Sequence, residues 1–374
     1  MNTKNNISPN EAPSKGNPYQ SSQETLPRQN AKQSSEETLP RQNAKQSSEE
    51  KQLKRKTFLQ KRIVVFFGAM ICCALWGSAF PCVKIGMKLF AIRPDQTADQ
   101  ILFAGCRFAL AGILVIIVGS LLKKKPLIPK KQELPSILWL CLFQTVGQYF
   151  FYYIGIAHTS GVNTSIVDSL SIFLSILSAS LLFRMEKLTG RKILGCILGF
   201  LGVVLVNLNG GGFNFHMTWI GEGMILCSAI TYSFSSIFAK IFSRKSDPVL
   251  LSGCQFLIGG LILSVGAMLA GARPKSLTPG SFLLFLYLAF ISMAAYTIWT
   301  ILLKYNDVSL VSVYGFMNPV FGVLLSALFL RETEGLNWNY LLSLIFIAIG
   351  INLVNRQAKR NVNQTAEVTS QNTK

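Results

Sequence analysis

Residues 105–114 read GCRFALAGIL, and 148 positions later residues 253–262 read GCQFLIGGLI. The same offset recurs in a second, distant block. It places Glu186 on Glu334, Leu188 on Leu336, Gly202 on Gly350, and the triplet Leu205, Val206, Asn207 on Leu353, Val354, Asn355. One shift that serves two separated blocks without a gap marks an internal duplication, whose copies are read as residues 63–208 and 219–355.

Each copy consists of five apolar runs. Half of the 374 residues are hydrophobic and only 14% are charged, which is too apolar for a water-soluble domain. The ten runs fall at approximately 63–88, 101–122, 135–157, 161–183, 190–208, 219–242, 248–271, 280–303, 307–330 and 337–355. At about 1.5 Å per residue each can cross a hydrocarbon core about 30 Å thick as a helix. Transmembrane β-strands are excluded, because the runs are continuously apolar instead of alternating. The expected fold is an all-α membrane protein with ten transmembrane helices. Five is an odd number, so the second copy enters the membrane from the opposite side to the first, and the two five-helix repeats are inverted. Inverted halves that exchange conformations about a central site are the basis of alternating access, although a channel or scaffold can also be duplicated.

The formal net charge of +19 does not read as a nucleic-acid footprint, because the basic residues gather in a polar amino-terminal tail and in short gaps between apolar runs. With the tail in the cytoplasm, the inner connections hold Lys123, Lys124, Lys125, Lys130, Lys131, Arg184, Lys187, Arg191, Lys192, Arg244 and Lys245. The outer ones hold only Arg93, Arg273, Lys275 and Arg331. This bias places both termini in the cytoplasm, and it leaves the glycine-rich loop 207–216, which has no Lys or Arg, outside. Residues 1–60 carry a 13-residue tandem repeat, QSSQETLPRQNAK at 20–32 and QSSEETLPRQNAK at 33–45. Such polar, proline-interrupted sequence buries too little surface to offset its ordering entropy and is read as disordered. Its basic end, Lys51 to Arg62, can rest on anionic lipid headgroups. The first apolar run starts too far in, and is too long, for a cleaved signal peptide. Residues 356–374 form a polar carboxy-terminal tail.

All eight cysteines lie inside apolar runs, without paired spacing or histidine partners, and read as small buried hydrophobes instead of disulfides or zinc ligands. The chain has no Walker loop, dinucleotide fingerprint or HExxH motif. His158 and His216 lack the partners of a catalytic triad. No enzyme activity, metal or cofactor is expected.

Four stretches carry a resemblance: LWGSAFPCVKIG (75–86), RFALAG (107–112), MEKLTGRKILGCILGFLGVVLV (185–206) and YGFMNPVFGVLLSALFLRE (314–332). In this order, with the duplication, they resemble the EamA-type, ten-helix members of the drug/metabolite transporter superfamily. The resemblance spans nearly all of 63–355. It implies an inverted-repeat secondary transporter, often an exporter of amino acids or other small metabolites, and leaves the substrate open. The family usually has a proline in the middle of the fourth span, as at Pro319 in the ninth, whereas this chain has Ser171 there.

Pro81 and Pro319 each follow a glycine by four residues, Gly77 and Gly315, so each ring removes a helix hydrogen bond to that glycine's carbonyl and tends to kink the span. Kinked first and ninth spans can surround a cavity, or the kinks can merely shape packing. Trp76, Gln148, Tyr152, Tyr232 and Asn318, with Tyr149 and Trp299, suit a largely apolar small-molecule site with a few hydrogen-bonding groups. Some of them can equally be packing residues or interfacial anchors. Arg107 and Asp168 lie at equal depth, roughly 9–11 Å inside the spans, with Lys84 toward the end of the first. An ionisable group at depth needs a partner or a wet cavity. One reading has Arg107 or Lys84 attract an anionic or zwitterionic substrate while Asp168 balances charge or accepts a coupling proton; the other, preferred on sequence grounds, is a fixed Arg107–Asp168 pair joining two helices. Glu222 is a weaker candidate and is read as interfacial. Glu186 and Glu334 are read as orienting the following helices. Lys88, Lys240 and Lys304 are expected to snorkel to water, and Gly195, Gly199 and Gly202 to line a close helix contact.

The sequence thus describes a multi-pass protein of the plasma or inner membrane. Its expected partners are a small-molecule substrate, membrane lipids and a coupling proton, with no nucleic acid. The favoured function is a secondary-active exporter of a small metabolite. Facilitated exchange without ion coupling and a non-transporting scaffold or sensor are the alternatives. Labelling of cysteines placed near each terminus with a membrane-impermeant reagent is expected to find both ends on the cytoplasmic side; ends on opposite sides would require an odd number of crossings and overturn the ten-span topology.

Overall fold

The computed structural model describes Glu50 and residues 53–159, 161–207, 218–274, 278–330 and 338–371. The tandem-repeat tail, the glycine-rich loop, His216, Lys275, Arg331 and Glu334 lie outside the described residues. Ten helices are long and apolar enough to cross a membrane: α1 (Arg62–Leu89), α2 (Thr97–Lys123), α3 (Lys131–Ile156), α4 (Asn163–Leu182), α5 (Gly190–Asn207), α6 (Trp219–Lys245), α7 (Pro248–Leu269), α8 (Pro279–Tyr305), α9 (Val308–Phe329) and α10 (Trp338–Asn355). They run from 18 to 28 residues, or about 27–42 Å, and no β-strand occurs among the described residues. The helix containing α10 continues to Gln371.

Local signals start two of these helices. Asp247 accepts a hydrogen bond from the Val249 N–H at 3.0 Å ahead of α7, with Pro248 at its first position. Thr278 and Ser281 form a reciprocal cap ahead of α8, with Pro279 likewise placed. In both cases the proline sits where its missing N–H is not needed.

The tightest packing joins the copies. Apolar side chains gain nothing by leaving lipid for one another, so membrane helices associate where small residues let backbones approach. A Cβ added to Gly260 of α7 would lie 2.2 Å from Ala109 N and 2.6 Å from Gly105 O of α2. One on Gly112 would lie 2.4 Å from Leu257 N and 2.7 Å from Gly253 O. The contacts Gly105/Gly260 and Gly253/Gly112 exchange under the 148-residue shift. The α5–α10 seam repeats this: a Cβ on Gly195 would meet Gly350 O at 2.7 Å, and one on Gly202 would meet Ser343 O at 2.9 Å, again an exchanged pair. The ends of the α2–α7 seam are tied as well. Asp99 Oδ1 accepts the Arg273 N–H at 3.1 Å, and Asp247, 148 residues after Asp99, forms an ion pair with Lys123. Around these seams α1 packs on α8 and α9, and α6 packs on α3 and α4.

Several details depart from the sequence expectation. The last residues of the tail, 53–59, are helical, and their end is fixed by the Asn306 side-chain amide, which donates to the Leu59 carbonyl at 3.1 Å. The third span starts at Lys131, and it widens from α to π geometry at Leu142–Gly147 before returning to α at Gln148–Ile156. Pro81 sits inside an uninterrupted α1, and Gly77 there serves close approach, since a Cβ would lie 2.5 Å from Phe321 Cβ of α9. In α9 the turn Val313–Phe316, which contains Gly315, tightens to 3-10 geometry ahead of Pro319. The counterpart helix α4, with Ser171 in place of a proline, stays regular through that point and turns π only at Ser178–Leu182. The two copies therefore bend differently.

Gly260→Ala is expected to cost about 1–3 kcal/mol by overpacking, read as a lower unfolding temperature in detergent. Gly266→Ala in the same helix, where nothing lies within 4 Å, is expected to be neutral or stabilising by up to about 1 kcal/mol.

Candidate functional site

Aromatic rings from five helices converge in the bundle. Trp76 of α1 stands edge-on to Tyr296 and to Trp299 of α8, with both centroid separations 5.1 Å. Tyr296 meets Phe256 of α7 at 5.1 Å, and Phe256 stacks on Phe108 of α2 at 5.3 Å. Phe108 lies 4.3 Å from Tyr149 of α3, whose hydroxyl is 2.6 Å from that of Tyr296 and whose ring is 6.3 Å from Tyr152. The π turn of α3 ends where this aromatic group begins, at Gln148. A widened turn shifts the side chains that follow it around the helix, and such turns recur at functional sites.

The π turn is held from α7. Gln255 accepts a hydrogen bond from the Thr145 hydroxyl at 2.5 Å and donates to Gln144 Oε1 at 3.0 Å. All three residues are buried, and Gln255 is the 148-residue counterpart of Arg107. Arg107 differs. It is 5% exposed, its guanidinium carbon lies 4.5 Å from the Phe108 ring centre and 6.0 Å from that of Tyr149, and its Nε has no hydrogen-bond partner. No carboxylate among the described residues lies within 4 Å of it. The expected Arg107–Asp168 pair is therefore not made. Equal depth along the spans does not by itself bring α2 and α4 side chains together.

Asp168 of α4 is half-buried and within electrostatic range of Tyr152 and of Tyr232 on α6. Trp76 Nε1, Trp299 Nε1 and Gln148 Oε1, on residues of the aromatic group or beside it, have no hydrogen-bond partner in the protein, and neither does Asn318 Oδ1 on α9. Asn318 belongs to the stretch of α9 between Tyr314, whose carbonyl accepts from Cys73 Sγ at 3.2 Å, and Phe321, which packs on Gly77. Unsatisfied polar atoms are costly in an apolar interior, so Arg107 Nε, Trp76 Nε1 and Gln148 Oε1 beside the rings suit a polar ligand. Lys84 is exposed near the Leu89 end of α1; the cation buried beside the aromatic rings is Arg107.

Three charged residues have specific partners; Lys240 departs from the sequence reading, whereas Glu186 orients the following helix α5 through Lys192, as expected, and also reaches the other copy. Glu222, at the start of α6, is 5% exposed. It accepts hydrogen bonds from Asn163 Nδ2 at 2.7 Å, from the Thr218 N–H at 2.9 Å and from the Thr159 hydroxyl. Lys240 does not snorkel: it is 3% exposed, donates to the Asn306 carbonyl at 2.6 Å and lies 3.5 Å from Asp307. Glu186 pairs with Lys192 at 2.6 Å and also accepts the Ser309 N–H at 3.1 Å and the Ser309 hydroxyl, so it caps α9 in the other copy. Burial pushes the Glu186 carboxyl up, but the Lys192 ammonium, the hydrogen bonds from Lys192 and Ser309, and Lys240 outweigh it and hold the group below the ordinary carboxylate value.

The offset separates scaffold from chemistry. It pairs the seam glycines and Asp99 with Asp247, but sends Arg107 to Gln255, Asp168 to Phe316 and Lys84 to Tyr232. Sequence reading missed Tyr296, whose signal was present because it lies 148 residues after Gln148. Phe108 and Phe256 carried no signal beyond their matching place in the repeated block. The eight cysteines are free thiols, and no metal-ligating cluster occurs among the described residues.

The sequence pattern of the EamA-like transporter family matches residues 63–208 and 219–356. The chain is similar to the uncharacterised transporter YvbV of Bacillus subtilis (strain 168), with 25% identity over 76% of this chain and 89% of that one. It is also similar to the uncharacterised inner membrane transporter YedA of Escherichia coli (strain K12), with 28% identity over 78% and 89%. A solved crystal structure aligns with a TM-score of 0.65 over 80% of this chain and 99% of the other; at 19% identity the likeness is one of fold. With ten membrane-length helices and a family match over both copies, the chain belongs to the EamA-like transporter family and is a multi-pass membrane transporter.

Proposed function

We propose that the protein is a secondary-active exporter of a small metabolite bearing an anionic group, an amino acid or related compound, and that it works by alternating access between two inverted halves. In this reading it sits in the plasma or inner membrane with both termini cytoplasmic. The observation that carries the substrate class is Arg107, a buried guanidinium stacked on aromatic rings with no carboxylate within 4 Å among the described residues. A cation kept at depth in a membrane protein requires a counter-charge or water, and a bound carboxylate would supply the first with charge-assisted geometry. Trp76, Gln148, Tyr152, Tyr232 and Asn318 would surround the rest of the molecule. Asp168 would balance an ammonium group or take up the coupling proton.

Inversion is supported by the exchanged glycine contacts. If residue i of one copy touches residue j of the other, and their counterparts touch in the reverse sense, the halves are related by an approximate two-fold axis. Five crossings per half put such an axis in the membrane plane. The absence of a counterpart to Arg107 and Asp168 in the second copy supports a single charged site instead of two.

Metabolite profiling of cells lacking the protein is expected to show one class of carboxylate-bearing metabolite accumulating inside, restored by the wild-type chain. In proteoliposomes with an imposed pH gradient, Arg107→Gln is expected to raise KM for that compound by roughly 10-fold or more, from the loss of a charged hydrogen bond. Asp168→Asn is expected to keep exchange at equal pH but lose gradient-driven accumulation. Gradient-driven transport surviving in well-folded Asp168→Asn protein would remove Asp168 as the sole proton carrier, and an unchanged KM in Arg107→Gln would remove the anionic contact.

A further inference from the structure

Two buried carboxylates outside the aromatic site each reach from one copy to the other. Glu186 belongs to the first copy and holds Ser309, at the start of α9 in the second, through the backbone N–H at 3.1 Å and the hydroxyl. Glu222 belongs to the second copy and holds Asn163, at the start of α4 in the first, at 2.7 Å, together with the Thr159 hydroxyl just before it. The helices they hold are counterparts under the 148-residue shift, yet the two glutamates are not counterparts of each other. Helices α4 and α6 begin on one face of a ten-span bundle and α9 begins on the opposite face, so one contact stands at each face.

Local capping does not account for this arrangement. Helices α7 and α8 are capped by Asp247 and Thr278, the residues immediately before them. Asp307 occupies the same position ahead of α9 but makes no capping bond; it faces Lys240, and the Ser309 N–H goes instead to Glu186, 123 residues away. The helices held in this way carry candidate site residues: α4 bears Asp168 and α9 bears Asn318.

We infer that Glu222 and Glu186 are positioning residues of the transport cycle, each closing one mouth of the bundle, so that a face opens only when its carboxylate releases the opposite copy. This rests on the alternating-access reading above. Opening exchanges protein donors for water donors at a mouth that water is entering, so release need not leave the carboxylate unpaired. Both contacts are made in this structure.

Hydrogen exchange on the full-length protein in lipid nanodiscs, without substrate, tests the inference. Glu222→Gln places an amide N–H₂ where two or more donors now converge. Exchange in peptides spanning Thr159 and Thr218 is expected to rise about tenfold or more, while exchange around Ser309 falls as the opposite mouth closes more firmly. Glu186→Gln is expected to do the reverse. Thr159→Val and Ser309→Ala remove only a bridging hydroxyl and leave the carboxylates in place; they are expected to shift exchange in the same directions by smaller factors, and they keep the test open if a glutamine variant misfolds. A rise confined to the altered face, or a rise at both faces, overturns the inference. Because no substrate is used, reciprocal shifts without metabolite flux would leave the two latches standing and remove the transport reading, and flux without reciprocal shifts would do the opposite.

Discussion

The bundle depends on the approach of backbone to backbone at glycine. In hydrocarbon, two apolar helix faces gain little by covering each other, so association needs contacts that side chains would prevent. The α2–α7 and α5–α10 seams supply them, with glycines set so that a single added methyl would overlap main-chain atoms across the interface. Each seam joins one copy to the other, and in the α2–α7 pair polar contacts of Asp99 and Asp247 tie the ends. The remaining helices are arranged around these two pairs, and the aromatic site is built from α1, α2, α3, α7 and α8 on that support.

The seams were legible in the sequence because a duplication preserves what both copies need. The block 105–114 and its counterpart 253–262 announce a shared framework, and the structure places them against each other. The spans were legible because hydrocarbon thickness and helical rise leave little freedom in length. What stayed hidden depends on rotation about a helix axis. Arg107 and Asp168 share a depth, and sequence spacing measures depth; it does not say whether the two side chains meet, and in the structure they form no ion pair. The π turn at Leu142–Gly147 was equally invisible, since it adds a residue to a turn without changing the apolar character of the run.

Symmetry in the scaffold makes its absence elsewhere informative. Gln255 occupies the position of Arg107 in the second copy and is fully engaged with Thr145 and Gln144. A neutral amide that both donates and accepts can be satisfied inside a protein, whereas a guanidinium offers only donors and a charge. The same framework position thus fixes a helix in one copy and leaves a cation among aromatic rings in the other. Phe316 in place of Asp168 extends the contrast: both copies supply aromatic walls, and the charged groups Arg107 and Asp168 come from the first alone.

The division also bears on which helices can move. The seam pairs are held along their length by backbone contact, so under the proposed alternating access a change of shape would fall first on contacts made by side chains. The glutamates that hold the starts of α4 and α9, Glu222 and Glu186, bind hydroxyl, amide and N–H donors there, all of which water can replace. A contact meant to be permanent would be better made of glycine and backbone, as at the seams; a contact meant to break and re-form is better made of groups that lose little when hydrated.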